Sequence, residues 1–221
     1  MMQDDTHEQT ARRFRALYTG AISDVLDDLG YRNQVLPSAI GALRPGMKLA
    51  GPVFAVEGRS NPEAEYDASL RAILTMLGEV PAGHVAVYAA NDDVAAHLGE
   101  LSVAALKARG CAGVLLDGGV RDVDLILDQE LPVHCRYTTP QDGPGRWEVT
   151  EWGGAVRIGG IDVHTGDYLF ADADGAVVIP ADVISKVLEQ AEQVAVTENR
   201  VRDAVLDGLS PLAAYEQFGR F

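Results

Sequence analysis

Between residues 85 and 137, apolar runs too short to be helices alternate with segments of helical periodicity. Val85-Ala86-Val87-Tyr88, Val114-Leu115-Leu116 and Val133 to Tyr137 read as strands. Glu100 to Arg109, stopped by Gly110, and residues 122–129 read as the intervening helices. Strands joined through a helix return in the same direction, so this order predicts parallel pairing with helices against the sheet. In such sheets the chemistry gathers in the loops at the carboxyl ends of the strands.

The flanks are less regular. Residues 7–18 are charged and helical in character, Thr19-Gly20 interrupts, and Ile22, Val25, Leu26 and Leu29 recur at helical spacing before Gly30. Leu49 to Val56 reads as a strand bent at Gly51-Pro52, and Leu70, Ile73, Leu74 and Leu77 mark an amphipathic helix stopped by Gly78. Segment 138–147 is rich in Thr, Pro, Gly and Asp and reads as a loop. Short strands near 155–158, 161–164, 168–171 and 176–179 predict a β-rich unit rather than more β-α-β, with Gly153-Gly154 and Gly159-Gly160 as turns. Pro180-Ala181-Asp182 opens a long helix to about Leu206, too polar to lie in a core along its whole length and suited to leaning on another subunit. There is no internal repeat and no low-complexity tract.

A chain of 221 residues fits one large domain, or one domain with a helical extension. Its formal net charge of −15 repels phosphate backbones and argues against nucleic acid as a partner. The polar start Met1-Met2-Gln3-Asp4-Asp5 does not read as a signal peptide, and no apolar stretch approaches the ~20 residues of a membrane span. Cys111 and Cys135 sit in or beside apolar runs and read as buried thiols. The cytoplasm is the expected compartment.

The strongest local signal for chemistry is Asp117-Gly118-Gly119-Val120-Arg121-Asp122, following the strand at 114–116. It reads as a strand ending in an aspartate, two glycines that turn the chain and bare their amides, and Arg121-Asp122 opening a helix whose N-terminus favours an anion. Arginine holds a carboxylate through two parallel hydrogen bonds, and an adjacent aspartate is a hard oxygen ligand for Mg²⁺ or Mn²⁺. Together they suit a 2-oxo carboxylate. The plainer reading is a strand-turn-helix whose aspartate caps the helix and whose arginine is solvated. Gly99-Glu100-Leu101-Ser102 forms a second set of free amides at a helix start, for which an acidic residue complementing the helix dipole is the ordinary explanation. The five histidines show no paired metal spacing; His84 and His134 read as core or edge residues, and His97 more as structural than as a substrate contact. Asp172 and Asp174 read as Asx turn residues, and Lys186 as solvated.

These motifs, with Ile22 to Gly30, Leu49 to Val56, Gly166-Asp167-Tyr168 and Asp172 to Pro180, resemble the RraA-like family, from about residue 14 to the C-terminus. That family includes the 4-hydroxy-4-methyl-2-oxoglutarate / 4-carboxy-4-hydroxy-2-oxoadipate aldolases. The resemblance implies an α/β fold of the swivelling β/β/α type, a mixed sheet with flanking helices and a long C-terminal helix. It divides the chain into a catalytic domain over residues 1–180 and a helical extension over 181–221 that packs on a neighbouring subunit of a homotrimer or hexamer.

By the same resemblance, Asp122 is the one protein carboxylate on a divalent cation (Mg²⁺, Mn²⁺ or another), and Arg121 binds the substrate carboxylate and the developing enolate. Gly99 and the amides of Leu101 and Ser102 hold the pyruvyl carboxylate, and Glu100, at a place where many aldolases have aspartate, bonds metal-bound water. A C-terminal glutamate reaches the same waters from a neighbouring subunit; Glu198 fits best, with Glu189 and Glu192 on the same helix. The implied activity is a metal-dependent aldolase that cleaves a 4-hydroxy-2-oxo acid to pyruvate and a second carbonyl acid, with oxaloacetate decarboxylation alongside. Two alternatives stand beside it. One is a non-catalytic regulator like the branch that inhibits ribonuclease E, whose members look to lack the aspartate after the arginine. The other is a related lyase for a sugar-derived or other hydroxy-oxo acid, its tail pocket lined by loop 138–147 with Arg136 and Arg146 nearby.

Overall fold

The structure is a computed structural model that describes residues 2–221, with the side chains of residues 7–221; of the N-terminal stretch Met1 to Asp5, the side chains lie outside the described residues. The predicted alternation is present. Strands β2 (Leu49–Ser60), β3 (Val85–Ala89), β5 (Gly113–Val120) and β6 (Val133–Thr138) pair in parallel in the spatial order 2-3-5-6. The crossovers carry α3 (Tyr66–Glu79), α4 (Glu100–Ala108) and α5 (Val123–Asp128). Beyond β2 the sheet continues antiparallel through β10 (Tyr168–Ala171) and β11 (Ala176–Ile179), and short β1 (Gly41–Ala42) closes the other end against β6. The sheet is therefore mixed. Two of the four downstream strands belong to it, whereas β8 (Ala155–Ile158) and β9 (Ile161–His164) form a separate hairpin turned at Gly159-Gly160, both at positive φ.

Strand periodicity sorts the core. Phe54, Val56, Ala86, Tyr88, Val114 and Leu116 face one way, onto Ile73, Met76 and Leu77 of α3, Val103 and Leu106 of α4, and Ile126 of α5. Val53, Ala55, Val85, Val87 and Leu115 face the other way, and there the cover is the β8–β9 hairpin through Val156, Ile158, Ile161 and Val163 rather than helices. A third cluster joins Tyr168, Phe170, Val177 and Ile179 to α1 (Met2–Arg15), α2 (Thr19–Asp28) and α6 (Ile184–Leu206). In α6, Val187, Leu188 and Ala191 are buried in that cluster, while Val196 and Leu206 further along are exposed, so its first half completes this chain's own core.

Besides β1, three further elements depart from the expected plan. Residues 147–152, placed partly in a loop and otherwise unassigned, form β7 (Trp147–Trp152), antiparallel to β2. Ala96–Leu98 forms a short strand, β4, beside β5. After α6 the chain turns and forms α7 (Pro211–Phe218), capped by the Ser210 hydroxyl with proline in its first turn. Asp172 does more than shape its turn: besides accepting from Asp174 N–H (3.0 Å), it takes Thr19 N–H (2.9 Å) and hydroxyl (2.8 Å), anchoring the start of α2.

Candidate active site

Strand β5 does not end at Asp117. It runs on to Val120, because Gly119 and Val120 pair with β4 on one side and with Tyr137 and Thr138 of β6 on the other. The expectation that Gly118 and Gly119 turn the chain and bare their amides is therefore overturned. A Cβ on Gly118 would lie 2.6 Å from His97 Nδ1, and one on Gly119 would lie 2.3 Å from the Tyr137 ring and 2.6 Å from Ala95 O. These glycines exist for close packing, and the Gly119 N–H donates to His97 Nδ1 (3.1 Å).

The turn comes at Arg121-Asp122. Arg121 N–H donates to Leu98 O (3.1 Å), and Asp122 is left-handed at φ 61°, ψ 39°. A non-glycine residue pays an intrinsic conformational penalty of roughly 1–2 kcal/mol there, and such residues gather at functional sites. Asp122 occupies the N-cap of α5, yet its carboxylate does not cap that helix. Its Oδ2 instead accepts Glu100 N–H at the start of α4 (3.3 Å). Arg121 is only partly exposed; its Nε is 3.5 Å from Asp122 Oδ2 and its Nη1 3.0 Å from Asp142 Oδ1. The plainer reading, a capping aspartate with a solvated arginine, does not describe this geometry.

Gly99 joins the two motifs. A Cβ there would sit 2.8 Å from Asp122 Oδ2 and 3.2 Å from Arg121 Nε, so the bare glycine lets both side chains lie close over the start of α4, and any larger residue would displace them. Val103 N–H makes the first helical bond, to Gly99 O (3.1 Å), and the amides of Leu101 and Ser102 lie ahead of it in the first turn, as anion-facing donors do. Two clefts meet at Arg121. One, of about 320 Å³, is lined by Asp122, Thr138 and Thr139; the other, of about 180 Å³, by Ser102, Asp142 and apolar residues of α3 and α4.

Supports lie directly behind. His97 is fully buried, with Nε2 3.2 Å from Asp92 Oδ2 and its ring edge-on to Trp147. Burial lowers its pKa to about 4 against the pull of Asp92, so the imidazole is neutral, donating from Nε2 and accepting at Nδ1. That matches its reading as structural. Arg136 lies 2.9 Å from Asp117 Oδ1, 2.5 Å from Asp93 Oδ1, and donates to Asp92 O (2.7 Å), so it is bound into the scaffold. Burial raises the Asp117 pKa, with Arg136 pulling the other way.

The structure thus brings together Gly99, Glu100, Leu101, Ser102, Arg121 and Asp122. Glu198 stands elsewhere in the same chain: it accepts from the Tyr18 hydroxyl and from Arg220 Nε (3.2 Å), in a groove with Val201, Arg202 and Phe221. Loop 138–147, expected to line a tail pocket, brings Asp142 to Arg121 and Trp147 to His97, although neither residue stood out within it. Alternating burial along Trp147-Glu148-Val149 was legible as a strand, whereas Asp142 carries no local signal separating it from the other loop residues.

Asp122 and Glu100 carry the hard oxygen donors at this site, the kind of donor that divalent cations such as Mg²⁺ take. Arg121 between Asp122 and Asp142 leaves one net negative charge, and Asp122 borders the larger cleft with Thr138 and Thr139. Among the described residues no three His, Cys, Asp or Glu side chains converge, so a cation here would keep most of its coordination sphere for water, substrate or a second chain. Also among the described residues, no helix is long and apolar enough to cross a membrane.

Comparison with known proteins agrees with the fold. The chain is 26% identical to protein DlpA of Legionella pneumophila over 99% of its own length, but spans only 35% of DlpA. It is 30% identical to a protein of Halalkalibacterium halodurans provisionally named 4-hydroxy-4-methyl-2-oxoglutarate aldolase, covering 92% of this chain and 91% of that one. Its structure is similar to that of Streptomyces coelicolor RraAS2, described as an unusual member of the RNase ES inhibitor RraA family (TM-score 0.78, 27% identity, 89% of this chain and 98% of the other). A family model described as RraA-like (Aldolase/RraA) matches residues 19–178, and the chain belongs to that family.

Proposed function

We propose that this protein is a divalent-metal-dependent carbon–carbon lyase that takes a 4-hydroxy-2-oxo acid and releases pyruvate. The observation that carries the reading is Arg121 and Asp122 lying together over Gly99 at the start of α4, with Asp122 left-handed and not capping its own helix. Membership of a family with relatives named as aldolases supports the same reaction class.

The roles follow from charge. Leu101 and Ser102 amides and the Arg121 guanidinium bind the pyruvyl carboxylate, the amides at a helix N-terminus and the arginine as a charged donor. Asp122 would hold the cation, which when bound supplies Lewis-acid polarisation of the 2-oxo group. When the C3–C4 bond breaks, the C4 hydroxyl loses its proton and the electron pair moves onto the pyruvyl fragment. Arg121 offsets the charge that grows there. C3 then takes a proton, with Glu100 and Glu198 of a neighbouring subunit as the carboxylates assigned to the exchange. The same electrons move when CO₂ leaves oxaloacetate, so decarboxylation accompanies cleavage. In this reading the chain works as a trimer or hexamer, with α6 and α7 packing across the subunit boundary; the exposed Val196, Leu206, Leu212 and Tyr215 favour such cover.

The test is pyruvate release from oxaloacetate and from 4-hydroxy-4-methyl-2-oxoglutarate with Mg²⁺, with Mn²⁺ and with EDTA. Metal-dependent release from both supports the lyase. Release from oxaloacetate alone keeps the pyruvyl site and moves the substrate to another hydroxy-oxo acid. No release under any condition sinks the reading and favours a non-catalytic binding role, to which the likeness to RraAS2 gives weight.

A further inference from the structure

The smaller cleft beside Arg121 opens between α3 and α4, and its floor is apolar: Leu70, Ile73, Leu74 and Leu77 from one helix, Ala105 from the other, and Pro144 from the loop. Gly99, Leu101, Ser102 and Arg121, where the pyruvyl end is assigned, line the other side of the same cleft, so the two ends of a substrate share its volume. The volume of about 180 Å³ is below the ~300–1,000 Å³ of drug-sized sites, which suits a short chain. The charge inside runs against a second carboxylate. Arg121 is the one cation among the described lining residues, and its Nη1 is already bridged to Asp142 at 3.0 Å. Asp142 lines the same cleft, so a carboxylated tail would face a like charge and an apolar wall. The loop carrying Asp142 is held in place: Ala96 N–H donates to Gln141 O (2.8 Å), Gly145 N–H donates to Ser69 Oγ (2.9 Å), and a Cβ at Gly143 would lie 2.6 Å from Ala96 O.

We infer that the α3 side of this cleft is the tail subsite and that it selects 4-hydroxy-2-oxo acids whose tail is short, aliphatic and uncharged, with Asp142 as a specificity-determining residue. The inference rests on the lyase reading above. The reaction is R–CH(OH)–CH₂–CO–COO⁻ going to R–CHO and pyruvate, with the hydroxyl proton lost from oxygen and a proton gained at C3. The dicarboxylate substrate implied by the relatives' names is then a poor substrate for this chain.

Binding tests it without turnover. Calorimetric titration of the full chain with 2-oxohexanoate and with 2-oxoadipate, both in excess Mg²⁺, compares tails of similar length that differ in charge. The expected result is at least about tenfold tighter binding of 2-oxohexanoate. Asp142→Asn should narrow that ratio, and Leu74→Arg, at a half-exposed position, should reverse it. Equal or tighter binding of 2-oxoadipate by the unmodified protein overturns the inference. Failure of both ligands while oxaloacetate still yields pyruvate overturns it and leaves the pyruvyl site standing. Failure of both ligands and of oxaloacetate overturns the lyase reading, and the subsite with it.

Discussion

Substituting Gly99 by alanine isolates the geometry on which the site depends. The backbone there is extended, at φ −127° and ψ −176°, so alanine fits the chain without conformational strain. The obstacle is the neighbours. A Cβ would stand 2.8 Å from Asp122 Oδ2, and reaching ordinary contact at 3.4 Å requires the carboxylate to retreat by about 0.6 Å, with Arg121 Nε yielding from 3.2 Å. A displacement on the order of 1 Å in a catalytic constellation costs roughly 10²-fold in rate, or about 2.7 kcal/mol of transition-state stabilisation. Fold stability should hardly move. Both side chains are over a third exposed, and the unfolded chain loses freedom with alanine, which is worth about 0.4–1 kcal/mol in the stabilising direction. The assay pairs kcat/KM for pyruvate release from oxaloacetate with a thermal melt. A fall of about 10²-fold with a midpoint within roughly 4 °C of the parent is expected. Full activity in the folded variant would refute the reasoning, because Asp122 and Arg121 would not need the position they occupy.

Three further outcomes are expected. Burial lowers the His97 pKa from the ordinary histidine value of 6.5 to about 4, so the unfolded chain binds the extra proton first; the stability this confers is complete above about pH 6.5 and lost as pH falls toward 4, by about 3 kcal/mol in all. Urea midpoints between pH 7 and 5 should therefore decline, and decline less in His97→Gln; equal slopes would contradict the assignment. Gly119→Ala forces a Cβ to 2.3 Å from the Tyr137 ring and 2.6 Å from Ala95 O and should cost roughly 1–3 kcal/mol or more in urea unfolding, against no measurable loss if the packing is slack. Arg136→Ala strips Asp117 and Asp93 of their shared cation and should cost about 1–3 kcal/mol, with the loss reduced at low pH as Asp117 becomes neutral.

Much of this fold was legible because the sheet's centre is buried on both faces. Val85 to Tyr88 and Val114 to Leu116 are apolar without interruption, Val133 to Tyr137 carries only His134 and Arg136 among apolar and aromatic neighbours, and helical spacing separates the three. What was missed has physical causes. Ala96-His97-Leu98 is too short to show a period, and it is a strand only because β5 extends beside it. Gly118-Gly119 looks like a turn because glycine is common both in turns and wherever two side chains press on a backbone; His97 and Tyr137, which do the pressing, are distant in sequence. Trp147 to Trp152 and the Ser210-Pro211 cap carried ordinary signals that could have been read. At the site, the motifs around Gly99 and Asp122 were visible as separate turns, but the contact that unites them spans 22 residues of chain. Asp142, reaching Arg121 from a loop of similar polar residues, required the tertiary structure.

The most direct test of the account is Mn²⁺ titration followed by electron paramagnetic resonance, run on the parent, Asp122→Ala and Arg121→Ala, with pyruvate release from oxaloacetate measured on the same samples. The account predicts a Mn²⁺ site in the parent that Asp122→Ala abolishes, and one that Arg121→Ala retains while losing pyruvate release. Equal Mn²⁺ binding in the parent and Asp122→Ala, or pyruvate release undiminished in Arg121→Ala, would contradict it.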